Sequence, residues 1–271
     1  MEPQQFFDLL LIEIAQNPDL RKYYKFLDAK NQSVFNFRKN YFLQRLNYIH
    51  KSIKKDAAQI WDCGCGFGTT AIFLTLNGHN VYANTLEFYY EQIPKRLKYW
   101  ENYGNLNSLN IEYLDLFDIS TKKLFNYIIV QDTFHHLEPI DKALAIISNS
   151  LQQDGEIIAI EENGNNIFNR FKNYIKRGNN RIIEIYDEKT KKYFTMGNEN
   201  TRPLKLWISI FKNNGLKINT ETIDFTRLFL PLFYYFMSNE KLVKAESKIW
   251  KKIRLLRNYF YFGINFTARK I

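Results

Sequence analysis

Three glycines at alternate positions, directly after a short apolar stretch, constrain this chain more than any other feature. The segment is Asp62-Cys63-Gly64-Cys65-Gly66-Phe67-Gly68; it follows Ile60-Trp61 and precedes an apolar helical pattern that begins at Thr69. Glycines at this spacing permit left-handed backbone conformations and let the backbone approach a ligand with no Cβ in the way. The segment therefore predicts a ligand-binding turn between a strand and a helix.

Two common phosphate-binding loops do not fit this turn. The dinucleotide fingerprint Gly-x-Gly-x-x-Gly requires a glycine where Thr69 stands. A Walker loop requires Gly-Lys-Ser/Thr, and the sequence has no lysine between Asp56 and Lys95. Both phosphate-binding interpretations are therefore disfavoured.

Short apolar strands alternate with amphipathic helices on both sides of the turn. Seven strands are expected, at about residues 60–61, 81–85, 111–114, 127–131, 155–161, 216–225 and 259–270. Helices are expected between the early strands, at about 69–77, 88–103 and 140–151. This alternation predicts an α/β fold with a mostly parallel sheet built from right-handed crossovers.

The remaining segments predict a helical N-terminal extension and a helical lid. Helical patterns over about 3–14 and 33–54 give an extension over residues 1–56, ahead of a sheet domain over 57–271. Two irregular inserts, 163–200 and 226–258, are expected to form the lid. No apolar run reaches the roughly 18 residues of a membrane span, and two cysteines cannot form a disulfide scaffold. A reducing, cytoplasmic location is expected.

The acid-x-Gly-x-Gly-x-Gly turn resembles the first motif of class I S-adenosylmethionine-dependent methyltransferases. The resemblance covers about residues 59–151, and it implies a doubly wound, Rossmann-like methyltransferase fold with S-adenosyl-L-methionine as cofactor. It also implies that the turn lies under the methionine part of the cofactor and that Asp62 orients the turn and the α-ammonium group. The turn residues expected to bind the cofactor are Asp62, Cys63, Gly64, Gly66 and Gly68.

The same resemblance suggests where the ribose and the adenine bind. The family has an acid after its second strand that accepts hydrogen bonds from both ribose hydroxyls, whereas this chain has Thr85 there. Glu87 is the nearest carboxylate and is the alternative ribose ligand; it is equally interpretable as an exposed helix-terminal acid. Asp115 matches the acid that accepts from the adenine amino group, and Leu116 would offer its backbone N–H.

Residues 125–139 resemble the fourth motif of small-molecule methyltransferases, in which a strand leads into a His-His-Leu segment. Gln131 at the end of this strand would contact the sulfonium side of the cofactor. His135 and His136 are the candidate catalytic residues, because a histidine that titrates near neutrality can deprotonate an acceptor hydroxyl. If the pair enters a helix, the two side chains point about 100° apart and one of them faces the cleft. The alternative is that these histidines have a structural role, in packing and in helix capping, and do not act as a base.

Two other chemistries compete at this position. Enzymes that methylate amino groups of bases or glutamine carry Asn/Asp-Pro-Pro-aromatic here, and this chain does not. Metal-dependent catechol methyltransferases have one acid after strand four and an acid-Asn pair after strand five. Asp132 and Glu162-Asn163 loosely match these positions and offer oxygen ligands suited to Mg²⁺. The His-His-Leu segment argues against this set, and Cys63-x-Cys65 lacks partner ligands, so no metal is expected.

The positive charge is concentrated at the C-terminal end. The formal net charge is +10, and residues 205–271 hold 13 lysines and arginines but only four acids, which leaves +9. An aromatic segment at 228–237 precedes a lysine-rich helix; together they predict a cover over an apolar acceptor, a peripheral membrane contact through 228–257, or an added helix with a solvated face. RNA binding is disfavoured because no recognised RNA-binding module accompanies the basic face.

The expected function is transfer of a methyl group to the oxygen of a hydrophobic small molecule, such as a phenol, a quinone or a polyketide-type product. The alternatives are an RNA- or lipid-associated methyltransferase that uses the basic C-terminal face, and a non-catalytic binding module with the cofactor fold.

Overall fold

Seven of the nine strands found in the described residues form one central sheet. The computed structural model of the chain describes residues 1–86, 88–119 and 123–271. The strands in chain order are β1 (Gln59–Cys63), β2 (Asn80–Thr85), β3 (Leu109–Tyr113), β4 (Phe125–Gln131), β5 (Leu151–Glu162), β6 (Ile182–Asp187), β7 (Lys192–Gly197), β8 (Leu216–Thr226) and β9 (Gly263–Lys270).

The order of the central sheet is β3-β2-β1-β4-β5-β9-β8. Strands β1 to β5 are parallel, and β9 is antiparallel to both of its neighbours. This arrangement confirms the predicted doubly wound, mostly parallel, seven-stranded sheet. The chain order reverses between β1 and β4, and ligands of open α/β sheets bind at such a switch point, outside the carboxyl ends of the strands.

Ten helices occur in the described ranges. They are α1 (Pro3–Gln16), α2 (Pro18–Tyr24), α3 (Gln32–Ser52), α4 (Thr69–Leu76), α5 (Ile93–Trp100), α6 (Ile140–Ser150), α7 (Ile167–Arg177), α8 (Leu204–Asn213), α9 (Asn239–Lys252) and α10 (Arg254–Tyr259). Asn17 separates α1 from α2, because its side chain accepts hydrogen bonds from the backbone N–H groups of Asp19 and Leu20. Judged by length and apolar character, none of the described helices could cross a bilayer.

Alternate residues of the strands pack into two cores on opposite faces of the sheet. In β4, Ile128 and Val130 belong to the core that also contains Trp207, while Tyr127 and Ile129 belong to the other. The second core includes several side chains of α1, so the N-terminal helices cover that face of the sheet. This period of two is the pattern of a strand buried on both faces.

Three expectations about secondary structure were wrong. The insert 163–200 contains, besides its helix, the antiparallel hairpin of β6 and β7. Its strands mix apolar and charged residues and are largely exposed, so the sequence pattern was weak. The helix expected at 88–103 is a 3₁₀ turn (Phe88–Gln92) followed by α5, which has Pro94 in its first turn. The last strand begins at Gly263 rather than at 259, because α10 occupies the preceding residues.

Candidate active site

A cavity of about 1300 Å³ opens at the carboxyl ends of β1, β2 and β4. Its walls come from the glycine turn (Asp62 to Gly68), the strand ends, α3 and the β6–β7 hairpin. The predicted site residues that line it are Asp62, Cys63, Gly64, Gly66, Thr85, Asp115, Leu116, Gln131, His135 and His136. Residues spread over 75 positions of sequence therefore meet around one space.

The glycine turn has the backbone that its sequence predicts. Gly64, Gly66 and Gly68 have φ values of +77°, +54° and +74°, a region that other residues rarely adopt. A Cβ on Gly64 would lie 2.5 Å from the Thr133 side chain, whereas a Cβ on Gly66 would have no protein atom within 4 Å. Gly66 thus leaves open space over the cavity, while Gly68 caps α4.

Asp62 is a buried acid with an unused acceptor. The side chain is 2% exposed, and its Oδ2 has no hydrogen-bond partner among the described residues. Burial raises the pKa of this carboxyl to about 7. A buried carboxylate oxygen without a hydrogen-bond partner is costly, and a bound cationic group would relieve that cost. The open space at Gly66 and this acceptor fit a cofactor that carries an ammonium group.

A buried ion pair that the sequence did not predict contacts the glycine turn. Arg96 on α5 is fully buried; its Nη1 donates to the Phe67 carbonyl at 2.6 Å and to Thr69 Oγ1 at 2.7 Å. The rest of the guanidinium makes two 2.8 Å hydrogen bonds to the Glu13 carboxylate of α1. The available signal was Glu13 itself, a single acid on the apolar face of α1, since a buried acid requires a partner.

The positions expected to bind ribose and adenine lie at the ends of β2 and β3. Thr85 is buried at the end of β2, and Leu116 is buried beside Asp115. Asp115 Oδ1 accepts from the Phe117 N–H at 3.2 Å, and burial raises the pKa of the carboxyl. Glu87, the alternative ribose ligand, lies outside the described residues.

Gln131 at the end of β4 connects the strand to the helix after the glycine turn. Its Oε1 accepts a hydrogen bond from Thr70 Oγ1 at 3.2 Å. The side chain is partly exposed and lines the cavity. Gln131 therefore links the end of β4 to α4 at the wall of the cavity; its contact with the sulfonium stays a prediction.

Glu161 holds His135 in place. The buried Glu161 carboxylate accepts from the backbone N–H groups of Thr133 and Phe134 through Oε1 at 3.1 and 2.8 Å. Its Oε2 lies 2.7 Å from His135 Nδ1. Burial lowers the pKa of His135, but the attraction and hydrogen bond of Glu161 outweigh burial and raise the pKa to about 9. His135 is therefore a fixed imidazolium at neutral pH.

His136 has the opposite electrostatic environment. Its Nδ1 lies 2.9 Å from the Gly197 carbonyl oxygen, an acceptor only, so Nδ1 carries a proton. Burial, together with the neighbouring charge of His135, lowers the pKa of His136. The two rings are 4.2 Å apart in a turn that precedes α6, and both line the cavity. The expectation that only one histidine faces the cleft was wrong, because the pair is not helical.

The oxygen ligands of the catechol-type alternative are engaged in separate contacts. Asp132 forms an ion pair with Arg45 of α3, Glu162 accepts from the Asn169 amide at 3.1 Å, and the Asn163 amide donates to backbone carbonyls near the end of α10. Among the described residues, one other group could hold a metal ion. It consists of His135, His136 and Glu199, whose possible ligand atoms all lie within 4.8 Å of one another. The positive charge on His135 opposes a second cation there.

The N-terminal helices contribute three tyrosines to the lining of the cavity, and no local sequence motif predicts them. We call these residues, Tyr23, Tyr24 and Tyr41, the aromatic wall. The guanidinium groups of Arg45 and Arg227 each lie 4.2 Å from the centre of the Tyr41 ring. These residues approach the histidines only through the tertiary fold, so sequence spacing gives no sign of them.

Comparison with known proteins agrees with this geometry. Residues 61–159 match the family model of a methyltransferase domain. A search of curated proteins found no match.

Three solved structures with the same fold illustrate its range. A 1,6-didemethyltoxoflavin-N1-methyltransferase from Burkholderia thailandensis, solved with 1,6-didemethyltoxoflavin and S-adenosylhomocysteine, is 13% identical; the match covers 100% of this chain and 91% of that one, with a TM-score of 0.52. A protein from Galdieria sulphuraria, provisionally assigned as a sarcosine dimethylglycine methyltransferase, is 15% identical over 86% and 88% of the chains (TM-score 0.57). Phosphoethanolamine N-methyltransferase 2 from Haemonchus contortus, in complex with S-adenosyl-L-methionine, is 15% identical over 84% of this chain and 52% of that one (TM-score 0.55).

The matched segment contains the glycine turn, Asp115 and the histidine pair. This match supports methyltransferase activity over the alternative of a non-catalytic binding module. Residues 61–159 are thus similar to a methyltransferase domain, and the chain has the fold of S-adenosylmethionine-dependent methyltransferases.

Proposed function

We propose that the protein transfers the methyl group of S-adenosyl-L-methionine to an oxygen atom of a hydrophobic small molecule, such as a phenol, a quinone-derived hydroxyl or a polyketide-type product. One observation carries the proposal. The cavity is lined by the glycine turn, by the aromatic wall and by His136, whose lowered pKa keeps its ring neutral at pH 7. An aromatic wall favours an apolar acceptor, and a neutral histidine favours an acceptor that must lose a proton.

The cofactor is proposed to lie along the glycine turn. Asp62 would bind its ammonium group, and Gly66 would leave room for its methionine part. Asp115 and the Leu116 N–H would bind the adenine. Thr85 lies where the ribose acid of the family stands, so a single hydroxyl is proposed to replace the usual two-point carboxylate contact. When bound, the cofactor supplies an electrophilic methyl group on sulfur.

The histidine pair is proposed to activate the acceptor. Because Nδ1 of His136 is occupied by the Gly197 carbonyl, its Nε2 is the basic atom that would take the proton of an acceptor hydroxyl. His135, held as an imidazolium by Glu161, would stabilise the oxygen anion that forms. The same charge lowers the pKa of His136, which keeps that ring neutral before the reaction.

The surrounding helices are proposed to exclude water. The extension 1–56 contributes Tyr41 and Arg45 to the cavity, and the insert 163–200 contributes Phe194 of β7. We propose that these segments and the insert 226–258 form the lid. We also propose that exposed aromatic residues within 228–257, such as Phe236, contact a membrane surface.

Product analysis tests the proposal. The protein is incubated with the cofactor and with matched pairs of apolar aromatic acceptors that differ in one group, hydroxyl or amine. We expect methyl ethers and S-adenosylhomocysteine from the hydroxyl member of each pair. Exclusive methylation of amines would contradict the proposal. Methylation of RNA, with binding that falls steeply as salt rises, would replace it with the RNA alternative.

A further inference from the structure

Helix α7 is amphipathic with its polar side turned inward. Asn169 and Asn173, one turn apart, are buried at 5% and 2% exposure. Five large apolar side chains of the same helix are exposed, by 42% to 68%: Ile167, Phe168, Phe171, Tyr174 and Ile175. We call these five residues the outer face of α7. A surface helix of a globular protein normally buries its apolar stripe, so this orientation requires an explanation.

Buried amide contacts fix this orientation. The Asn169 amide donates to Glu162 Oε2 at 3.1 Å. The Asn166 amide, at the helix cap, donates to the carbonyls of Phe260 and Tyr261 at 2.9 and 3.2 Å. Rotating the helix to bury the outer face would break these contacts and leave buried polar groups unpaired. The fold therefore presents the apolar side outward.

Basic residues border the outer face on both edges. At about 100° per residue, the five apolar residues span roughly a third of the helix circumference. Arg170 and Arg177 lie along one edge of this stripe, and Lys172 and Lys176 lie beyond the other, while the helix sequence has no acid. An apolar stripe between basic edges matches a membrane interface, where apolar groups insert and basic groups meet phosphates.

The outer face contacts the residues that directly follow α10. The Phe168 ring stacks on Phe262, 6.0 Å between ring centres, and lies 6.2 Å from the ring of Phe260. Leu255 of α10 is 64% exposed, and α10 itself carries Arg254 and Arg257. Helix α7 is also close to the cavity, because Glu162, which accepts a hydrogen bond from the inward-facing Asn169, lines the cavity wall.

We propose that the outer face of α7, together with α10, docks the protein on an anionic phospholipid surface. The charge selects this partner over a second copy of the chain, since two such basic surfaces would repel each other. Docking would bring the cavity to a membrane that dissolves apolar acceptors. That purpose rests on the proposed function, but the docking itself requires neither cofactor nor acceptor.

Vesicle binding of the full chain tests the proposal. Unilamellar vesicles of phosphatidylcholine alone are compared with vesicles of equal parts phosphatidylcholine and phosphatidylglycerol, in cosedimentation. We expect binding to the anionic vesicles that weakens in about 0.5 M NaCl. Replacing both Phe171→Ser and Ile175→Ser should lower the partition coefficient at least about tenfold, because two inserted apolar side chains are lost.

A matched pair on another helix is the control. Leu206→Ser with Ile208→Ser changes two apolar residues of α8 that are 44% and 41% exposed, and it should leave the partition within about twofold. Calorimetric cofactor binding verifies that both variants are folded and tests the methyltransferase assignment separately. Equal vesicle binding by the α7 variant and the unmodified protein would overturn the proposal. So would an unmodified protein that ignores anionic vesicles, or a dimer that the α7 changes convert to a monomer in light scattering.

Discussion

Glu13 of α1 and Arg96 of α5 form a buried two-point ion pair, and the same guanidinium donates to the backbone of the glycine turn. The pair links the N-terminal extension to the cofactor loop through a single side chain. Removing one partner would leave an uncompensated charge in the core, which typically costs about 3–5 kcal/mol.

Glu13→Gln should therefore lower both the unfolding free energy and the affinity for S-adenosyl-L-methionine. Denaturant unfolding and calorimetry measure the two effects. Asp28→Asn, which removes an exposed ion pair with Arg21, is the control and should change neither. If Glu13→Gln loses stability but binds the cofactor normally, Arg96 does not shape the glycine turn.

Gly66→Val should abolish cofactor binding while the chain still folds. A Cβ at Gly66 meets no protein atom within 4 Å, so the added side chain fills only the space proposed for the cofactor. Gly215→Val is a close control, because Gly215 also has a positive φ, +70°, and equal free space. Both variants carry backbone strain of about 1–3 kcal/mol. Equal cofactor affinity in the two variants would refute the placement of the cofactor.

Asp115→Ala should weaken cofactor binding by about 1–3 kcal/mol through the loss of a hydrogen bond to adenine. Asp118→Ala changes a nearby exposed acid that pairs with Lys192, and it should have little effect. Isothermal calorimetry compares the two variants. If Asp115→Ala reduces only thermal stability, the acid is structural.

Cofactor affinity should rise with pH through about 7. Burial raises the pKa of Asp62 to about 7, so the carboxyl is neutral below this pH and negative above it. Only the negative form attracts the ammonium group of the cofactor. Asp62→Asn should bind more weakly at pH 8 and lose this dependence on pH. A wild-type affinity that stays constant between about pH 6 and 8 would contradict the role of Asp62.

His136→Ala should lower kcat by about 10²–10⁴ and leave cofactor affinity nearly unchanged. Burial and the charge of His135 lower the pKa of His136. The wild-type rate should therefore rise with pH and level off, with an apparent pKa below the ordinary pKa of histidine. His136→Gln, which retains a side chain of similar polarity, should not restore the rate.

Chelation separates this base from a metal mechanism. EDTA should leave the rate unchanged, because a neutral imidazole takes the proton. Loss of activity in EDTA, restored by a divalent cation, would instead assign His135, His136 and Glu199 as metal ligands.

The sequence predicts the sheet, the glycine turn and the histidine pair because each of these depends on a local pattern. The alternation of short apolar strands with amphipathic helices and the three glycines in five residues need no knowledge of distant residues. Arg45, Tyr41 and Glu161 could not be predicted in the same way, because they reach the site from elements far apart in the chain. The orientation of α7 could not be predicted from the sequence either. Its pattern predicts a helix, and the apolar stripe of a helix is ordinarily expected to be buried.

The aromatic wall lies outside the matched methyltransferase segment, which begins at residue 61, whereas Tyr41 and Arg45 belong to α3. Under the proposed function, cofactor chemistry and acceptor choice are therefore encoded in separate stretches of the gene. Exchanging the first three helices between relatives is a way to alter which molecule is methylated without disturbing the catalytic core. In such a chimaera the junction must preserve the contacts that cross it, among them the ion pair between Glu13 of the first helix and Arg96 of the fifth.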